Sequence, residues 1–143
     1  MLENINIHSS VAAYVQIENT VEFAVASGRL KAGDQLPSVR ELSEKLNLNV
    51  NTVGKSYRDL EVMGIVFTRR GMGVYINKGV EAKCRENSRH RIVGRLHEVV
   101  SEAKAAGMTP QEIKAICMAS CAIDAEPYGV TPESLLAMAK TKK

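Results

Sequence analysis

The sequence of 143 residues has no tryptophan, only three cysteines and only four prolines. Three cysteines are an odd number and form no C-x-x-C pair, so we expect no disulfide scaffold and favour a reducing, cytoplasmic location. Four prolines and ten glycines are too few for a collagen-like or low-complexity chain. No apolar run approaches the roughly 18 residues of a membrane span, and the first residues lack a signal-peptide pattern. We therefore expect no membrane partner.

Catalytic signatures are missing as well. The sequence has no Walker A loop, no G-x-S-x-G and no H-E-x-x-H. It therefore predicts neither an enzyme nor a cofactor. The net charge of 19 − 16 = +3 says almost nothing about partners, so any function has to be sought in local patterns.

The first predicted helix begins at Ser10. Tyr14, Ile17 and Val21 recur at helical spacing along it, which gives the helix one apolar face. Gly28 then offers the left-handed conformation that commonly ends a helix.

Two more short helices are predicted to follow with a very tight turn between them. Ser38 and Glu41 form an S-x-x-E capping box, which opens the second helix. Asn47 can adopt the left-handed conformation that ends it, and Asn49 is a good N-cap for the third helix. Gly64 ends that third helix. Helices joined so closely must cross, which is the helix-turn-helix arrangement.

A β-hairpin is predicted directly after the third helix. Residues 65–69 and 74–76 are rich in β-favouring side chains, and they flank a loop that contains Gly71 and Gly73. The predicted fold class is therefore mainly α with a small β-wing. It consists of an N-terminal winged helix-turn-helix over residues 1–77 and a short helical dimerisation tail over residues 78–143.

The tail is predicted to begin with a long helix from about residue 80 to residue 106. Its apolar positions follow the spacing i, i+4, i+7 and i+11, which is typical of a narrow seam between paired helices. We expect this dimerisation seam to consist of Ile92, Leu96, Val99 and Ala103.

Two shorter helices are predicted after the long one. Thr109 to Glu112 resembles a second capping box with proline at the first helical position. We expect the helix that it opens to carry Ile113, Ile116 and Cys117 on its inward face. Residues 131–133 are expected to cap a last short helix.

The third helix carries the pattern most suggestive of function. If Val53 points into the core, then Asn51, Lys55 and Arg58 lie on the opposite side, within about 60° of one another. An amide can bond adenine in a bidentate manner, and a cation can reach guanine or phosphate. A polar helix face without a partner is the alternative interpretation.

The hairpin tip adds cationic and flexible residues at 69–73, where two glycines allow the backbone to approach DNA closely. An ordinary solvated turn is the alternative. Ser38 presents a hydroxyl and helix N-terminal amides, which together suit a phosphate, and the same hydroxyl can serve as a cap.

Residues 10–77 resemble the GntR family of bacterial repressors. The residues that carry the resemblance are G-R-L-K-A-G-D-Q-L-P-S-V-R-E-L at 28–42, N-T-V at 51–53, Tyr57, Leu60, G-I at 64–65 and R-G-M-G at 70–73. The short tail resembles the YtrA-like subfamily, in which such tails serve dimerisation. The resemblance implies a homodimer that binds a double-stranded operator. It adds Arg40, Asn49 and Thr52 to the candidate site, whose predicted DNA-binding residues are Ser38, Arg40, Asn49, Asn51, Thr52, Lys55, Arg58, Arg69, Arg70, Gly71, Met72 and Gly73.

Two alternatives from other classes stay open at this point. Cys117 and Cys121 lie one turn apart and, with His90 or His97, could make a metal or thiol sensor. A winged helix can also serve as a protein-interaction module, in which case Lys55 and Arg70 contact no DNA. An unknown small-molecule effector also stays open, and the tail has room only for a small pocket near the dimer interface.

Overall fold

The computed structural model describes residue 2, residues 5–124 and residues 127, 128, 136 and 137. The chain divides into two compact units, Met1–Arg89 and His90–Lys143. The first unit extends past the boundary expected at residue 77, because Val80 and Cys84 are buried in its core cluster.

The first unit contains the three helices and the hairpin that the sequence predicts. They are α1 (Ala13–Ala26), α2 (Val39–Leu46), α3 (Val50–Val62), β1 (Val66–Arg69) and β2 (Gly73–Ile76). Helix α1 begins later than the predicted Ser10. The Ser9 hydroxyl instead accepts a hydrogen bond from the amide of Val11 at 3.1 Å, a local turn that competes with the helix.

The turn between α2 and α3 forms as its capping residues predict. The Ser38 hydroxyl accepts from the Glu41 amide at 3.1 Å, and the Ser38 amide donates to the Glu41 carboxylate at 3.0 Å. Asn47 is left-handed, with φ 53° and ψ 46°. The Asn49 side chain accepts from the Asn51 amide at 2.8 Å. The capping box, the left-handed helix end and the N-cap are thus all confirmed.

The core of the first unit lies where α1 and α2 pack against α3. Its fully buried side chains include Ile17, Val21, Leu42, Val53 and Leu60. Removing this apolar surface from water is the main favourable contribution to the folding of the unit.

The hairpin is antiparallel and pairs Val66 with Ile76 and Arg69 with Gly73 at its two ends. Residues 33–36 lie along the other edge of β2. There the Leu36 amide donates to the Val74 carbonyl at 2.9 Å. This segment leads directly into α2, so it connects the hairpin to the helix-turn-helix.

The second unit contains the greater part of α4 (Glu81–Ala105) and all of α5 (Pro110–Cys121). The Thr109 hydroxyl accepts from the Glu112 amide at 3.2 Å, which confirms Thr109 as the cap of α5. The inward placement of Cys117 is wrong, because its side chain is exposed. The inward face of α5 follows Ile113, Ile116 and Ala119 at three-residue spacing, and Cys117 falls beside it.

The cap predicted at residues 131–133 lies outside the described residues. Within the part of the chain that the structure describes, no helix combines the length and apolarity needed to cross a bilayer.

Candidate nucleic-acid interface

Helix α3 turns one side to the core and the opposite side to solvent. Val53 is fully buried, whereas Asn51, Lys55 and Arg58 are exposed. The exposure expected for these three polar side chains is confirmed. Thr52 beside them is half-buried, so Asn51 is the exposed polar side chain in the first turn of α3.

Lys55 is engaged by other side chains. Its Nζ donates to Asp59 Oδ2 at 3.0 Å, one turn further along α3. The same ammonium lies 4.7 Å from the centre of the Tyr14 ring of α1, within the range of a cation–π contact. Lys55 therefore lies where the exposed edge of α3 meets α1.

Two carboxyl groups complete this arrangement, which we call the α1–α3 polar cluster (Tyr14, Glu18, Lys55 and Asp59). The Glu18 carboxyl hydrogen-bonds to that of Asp59, and partial burial together with Asp59 raises the pKa of Glu18 to about 7. The hydrogen bonds from Lys55 and Glu18 lower the pKa of Asp59. Two carboxyl groups in hydrogen-bond contact hold one proton between them. Glu18 is therefore the donor and Asp59 the ionised acceptor.

The tip of the hairpin is anchored by one side chain from outside the hairpin and one from β2. The Met72 carbonyl accepts from Gln35 Nε2 at 3.1 Å and from the Tyr75 hydroxyl at 3.0 Å. Gly73 has a φ of 121°, and a Cβ there would collide with the Gln35 amide. Glycine at position 73 is thus required by its backbone conformation, whereas the Gln35 amide is the end of a flexible side chain that can shift.

The cationic side chains of the hairpin remain exposed. Arg69 and Arg70 both face solvent, and the Arg69 guanidinium lies 6.0 Å from the centre of the Phe67 ring. Phe67 in turn stacks on Tyr75, with ring centres 5.7 Å apart. The aromatic pair supports the strand from which Arg69 projects.

The start of α2 presents two further residues of the predicted site. Ser38 is exposed although its hydroxyl serves as the cap. Arg40 is also exposed and makes a loose ion pair with Glu44, with Nε 3.5 Å from Oε1. A pair so exposed contributes little to stability, so Arg40 can exchange Glu44 for another anion at low cost.

Comparison with known proteins agrees with this architecture. The family profile "Bacterial regulatory proteins, gntR family" matches residues 13–76. The HTH-type transcriptional repressor YtrA of Bacillus subtilis is 36% identical over 105 residues, which is 73% of this chain and 81% of that protein. The chain belongs to the GntR family.

Solved structures of GntR regulators share its fold. A GntR family transcriptional regulator from Listeria monocytogenes matches with a TM-score of 0.56 and 33% identity, covering 76% of this chain and 95% of the other. YtrA from Sulfolobus acidocaldarius, a GntR-family transcription factor, matches with a TM-score of 0.52 and 29% identity, covering 66% and 99%. The chain is a GntR transcriptional regulator that resembles the YtrA-like members. The family consists of DNA-binding proteins and not of enzymes.

Sequence reasoning missed several residues of the candidate site. The spacing of Lys55 and Asp59 is a recognised helical ion-pair signal, so this contact could have been found. Glu18 and Tyr14 lie some forty residues earlier, and no local pattern joins them to α3. Gln35 reaches the wing only because residues 33–36 pair with β2.

A metal site does not assemble from the residues singled out for it. Among the described residues, no three or more His, Cys, Asp or Glu side chains converge on a common point. Cys117 and Cys121 are both exposed, and Cys84 is buried in the first unit.

The predicted dimerisation seam of this GntR regulator is exposed. The side chains of Ile92, Leu96 and Val99 are 48%, 54% and 51% exposed, while Ala103 is half-buried. These large apolar groups lie at the heptad spacing expected from the sequence.

Proposed function

We propose that the chain is a dimeric, sequence-specific repressor that binds operator DNA through α3 and the hairpin wing. The observation that carries the proposal is the exposed polar edge of α3 within a helix-turn-helix whose neighbouring hairpin tip bears two exposed arginines. The proposal places the protein in the cytoplasm, the compartment of the operator.

Helix α3 supplies the base-reading side chains in this proposal. Asn51 stands in the first turn, and the N-terminal part of a recognition helix is the part that reaches base edges. An asparagine amide pairs with adenine, and Arg58 suits guanine or phosphate. Lys55 adds a cation on the same side of the helix. Asn49, the N-cap, and Thr52, in the first turn, lie at the N-terminus of α3.

The wing and the start of α2 supply the backbone contacts. Arg69 and Arg70 provide charge, and Gly71 and Gly73 allow the main chain near Met72 to approach phosphate or the minor groove. Ser38 and Arg40 meet phosphate at the N-terminus of α2, where amide groups and the helix dipole favour an anion. Most of these contacts position the protein and carry no sequence information.

Dimerisation is assigned to the α4 seam. Ile92, Leu96 and Val99 present an apolar stripe at heptad spacing, and such a stripe gains stability by packing against its own copy. Two copies bound to two half-sites explain why a small DNA-binding unit carries a helical tail. Repression is proposed by similarity to the repressor YtrA of Bacillus subtilis.

The test begins with selection of duplexes from a random-sequence library by the wild-type protein. The enriched duplex, fluorescently labelled, is then titrated with the wild type, Asn51→Ala, Arg70→Ala and the control Arg85→Ala. Arg85 is exposed on α4, outside the proposed interface. We expect Asn51→Ala to lose about 1–3 kcal/mol of binding free energy at one base position. Arg70→Ala should weaken binding to every sequence.

No enrichment of any duplex, or equal affinity for all four proteins, would contradict the proposal and favour a protein-interaction module. Metal-dependent or thiol-dependent enrichment would favour the sensor alternative instead.

A further inference from the structure

The α1–α3 polar cluster joins a helix outside the proposed interface to a lysine within it. Lys55 Nζ lies 3.0 Å from Asp59 Oδ2, and Asp59 in turn hydrogen-bonds to Glu18 on α1. Glu18 thus acts on the DNA-facing edge through Asp59 and through its own charge interaction with Lys55.

The surroundings of Glu18 favour a neutral carboxyl. Glu18 Oε1 is buried and accepts no hydrogen bond, so an ionised Glu18 would leave a charged oxygen without a partner away from water. The charged or titratable groups that act on Glu18 are Glu22 on α1 and Lys55 and Asp59 on α3. Tyr14 acts on Lys55, and Arg58 acts on Asp59. Of these, Lys55 alone lowers the pKa of Glu18, while Asp59 and Glu22 raise it.

The proton on Glu18 sets the charge of the cluster. With the proton bound, Glu18 is neutral, Asp59 is negative and Lys55 is positive, so the three groups sum to zero. When the proton leaves to solvent, the cluster carries one negative charge and two carboxylates compete for Lys55. Lys55 lies one turn after Asn51 on α3. A phosphate that Lys55 contacts is closer to it than the Debye length of about 8 Å, so salt only partly screens the interaction between that phosphate and the cluster.

Resting on the proposed DNA-binding function, we propose that Glu18 is a proton-dependent positioning residue for Lys55, so that operator binding takes up a proton at Glu18. A nearby phosphate is negative and therefore favours the neutral form of the cluster over the negative form. Glu18 thus keeps its proton when DNA is bound. The sign follows from linkage, since the state that holds more protons is favoured as the pH falls. Affinity for DNA therefore decreases as the pH rises through about 7, where Glu18 ionises in the free protein.

The experiment measures the affinity of the whole 143-residue chain for the library-selected duplex, at constant salt, at about pH 6 and about pH 8. If phosphate raises the pKa of Glu18 by about one unit, the wild type loses roughly fivefold in affinity per protomer over this interval. Glu18→Gln keeps a hydrogen-bond donor toward Asp59 and cannot ionise. It is expected to bind equally well at both pH values and more tightly than the wild type at the higher one.

The matched control is Glu61→Gln, which makes the same change in charge at an exposed position of α3 outside the cluster. Between the two pH values, Glu61→Gln should lose as much affinity for the duplex as the wild type does. The three histidines of the chain are present in every protein compared, so the difference between wild type and Glu18→Gln cancels their contribution. Melting curves at both pH values establish that each variant is folded.

Parallel pH profiles for the wild type and Glu18→Gln would overturn the inference, as would a Glu61→Gln profile as flat as that of Glu18→Gln. Failure of the wild type to bind any duplex at either pH would instead overturn the proposed function. A simple packing role for Glu18 predicts a change in melting temperature without a change in the pH profile.

Discussion

The two compact units of this GntR regulator bury their apolar side chains to very different extents. In the first unit, Ile17, Val21, Leu42 and Leu60 are fully buried. In the described part of the second unit, from residue 90 onward, Ala119 alone is buried. There Leu96 and its neighbours along α4 remain exposed.

The difference indicates that the units satisfy the hydrophobic effect in different ways. The first unit has its own core and therefore can hold α3 and the wing in a fixed geometry without help. The second unit exposes a stripe of large apolar side chains, a feature that marks interaction surfaces in soluble proteins. DNA recognition and assembly are thus expected to fail separately when each unit is perturbed.

The largest expected effect tests the DNA-binding role of the first unit. If the dimer neutralises about 6–10 phosphates, affinity for the selected duplex should fall by roughly 10³–10⁵ between about 50 and 200 mM salt. Binding measured by fluorescence anisotropy across this range gives the slope. Arg70→Ala, which removes one cation per wing, should reduce that slope.

A flat salt profile would contradict phosphate contact by the wing and α3. The dimer, measured by light scattering in the same buffers, should be insensitive to salt because its seam is apolar. If the dimer dissociated over the same salt range in which DNA binding is lost, DNA binding and dimerisation would not be separate properties of the two units.

Leu96→Glu tests the second unit. The substitution places a charge in the proposed apolar seam at a cost of several kcal/mol, so the dimer should dissociate at micromolar concentration while the first unit stays folded. His97→Glu is the matched control, because His97 is exposed and lies on the outward side of the same turn. A Leu96→Glu protein that is still dimeric by light scattering would place the dimer interface elsewhere.

Much of the fold could be predicted from local signals in the sequence. Ser38 with Glu41, Asn47 and Asn49 determine the turn between α2 and α3, and each makes the contact that its residue type predicts. These signals are reliable because a side chain that caps a helix bonds backbone groups within four residues of itself.

The rest of the candidate site depends on contacts between distant segments. Glu18 meets Asp59, and Gln35 meets Met72, only after α1 has packed on α3 and residues 33–36 have paired with β2. Apolar periodicity predicts which face of a helix is buried. It does not predict which polar side chains of two helices meet at the edge of that buried face, so Lys55 could be placed on the exposed side of α3 but its partners could not.

A smaller effect is expected when one hydrogen bond within the first unit is removed. The Tyr57 hydroxyl donates to the Pro37 carbonyl at 2.6 Å, which links α3 to the start of α2, and burial raises the pKa of Tyr57. Tyr57→Phe should cost about 1 kcal/mol and lower the melting temperature by roughly 4–8 °C for a unit of this size. The dimer should be unaffected.

Tyr75→Phe removes a matching hydroxyl whose bond to the Met72 carbonyl is exposed, so its melting temperature should change less. Equal melting shifts for the two variants would argue against a special role for the link between Tyr57 and Pro37.

The smallest expected effect concerns Gly54, which lies in α3 beside Lys55. Glycine in a helix interior is about 1 kcal/mol less favourable than alanine. A Cβ at Gly54 would meet only the far end of the Arg58 side chain, at 3.2 Å, and that end can move. Packing within the protein therefore does not require glycine at position 54.

One explanation is that the missing Cβ allows the backbone of α3 to approach phosphate closely. Gly54→Ala distinguishes this from a merely tolerated glycine, because both interpretations predict a higher melting temperature but only close approach predicts weaker DNA binding. Gly94→Ala is the matched control, since Gly94 lies within α4 with open space around it and should gain stability without any change in DNA affinity. We expect Gly54→Ala to melt higher and bind the selected duplex more weakly than Gly94→Ala does. If both variants melt higher and bind as tightly as the wild type, DNA does not approach α3 closely at Gly54.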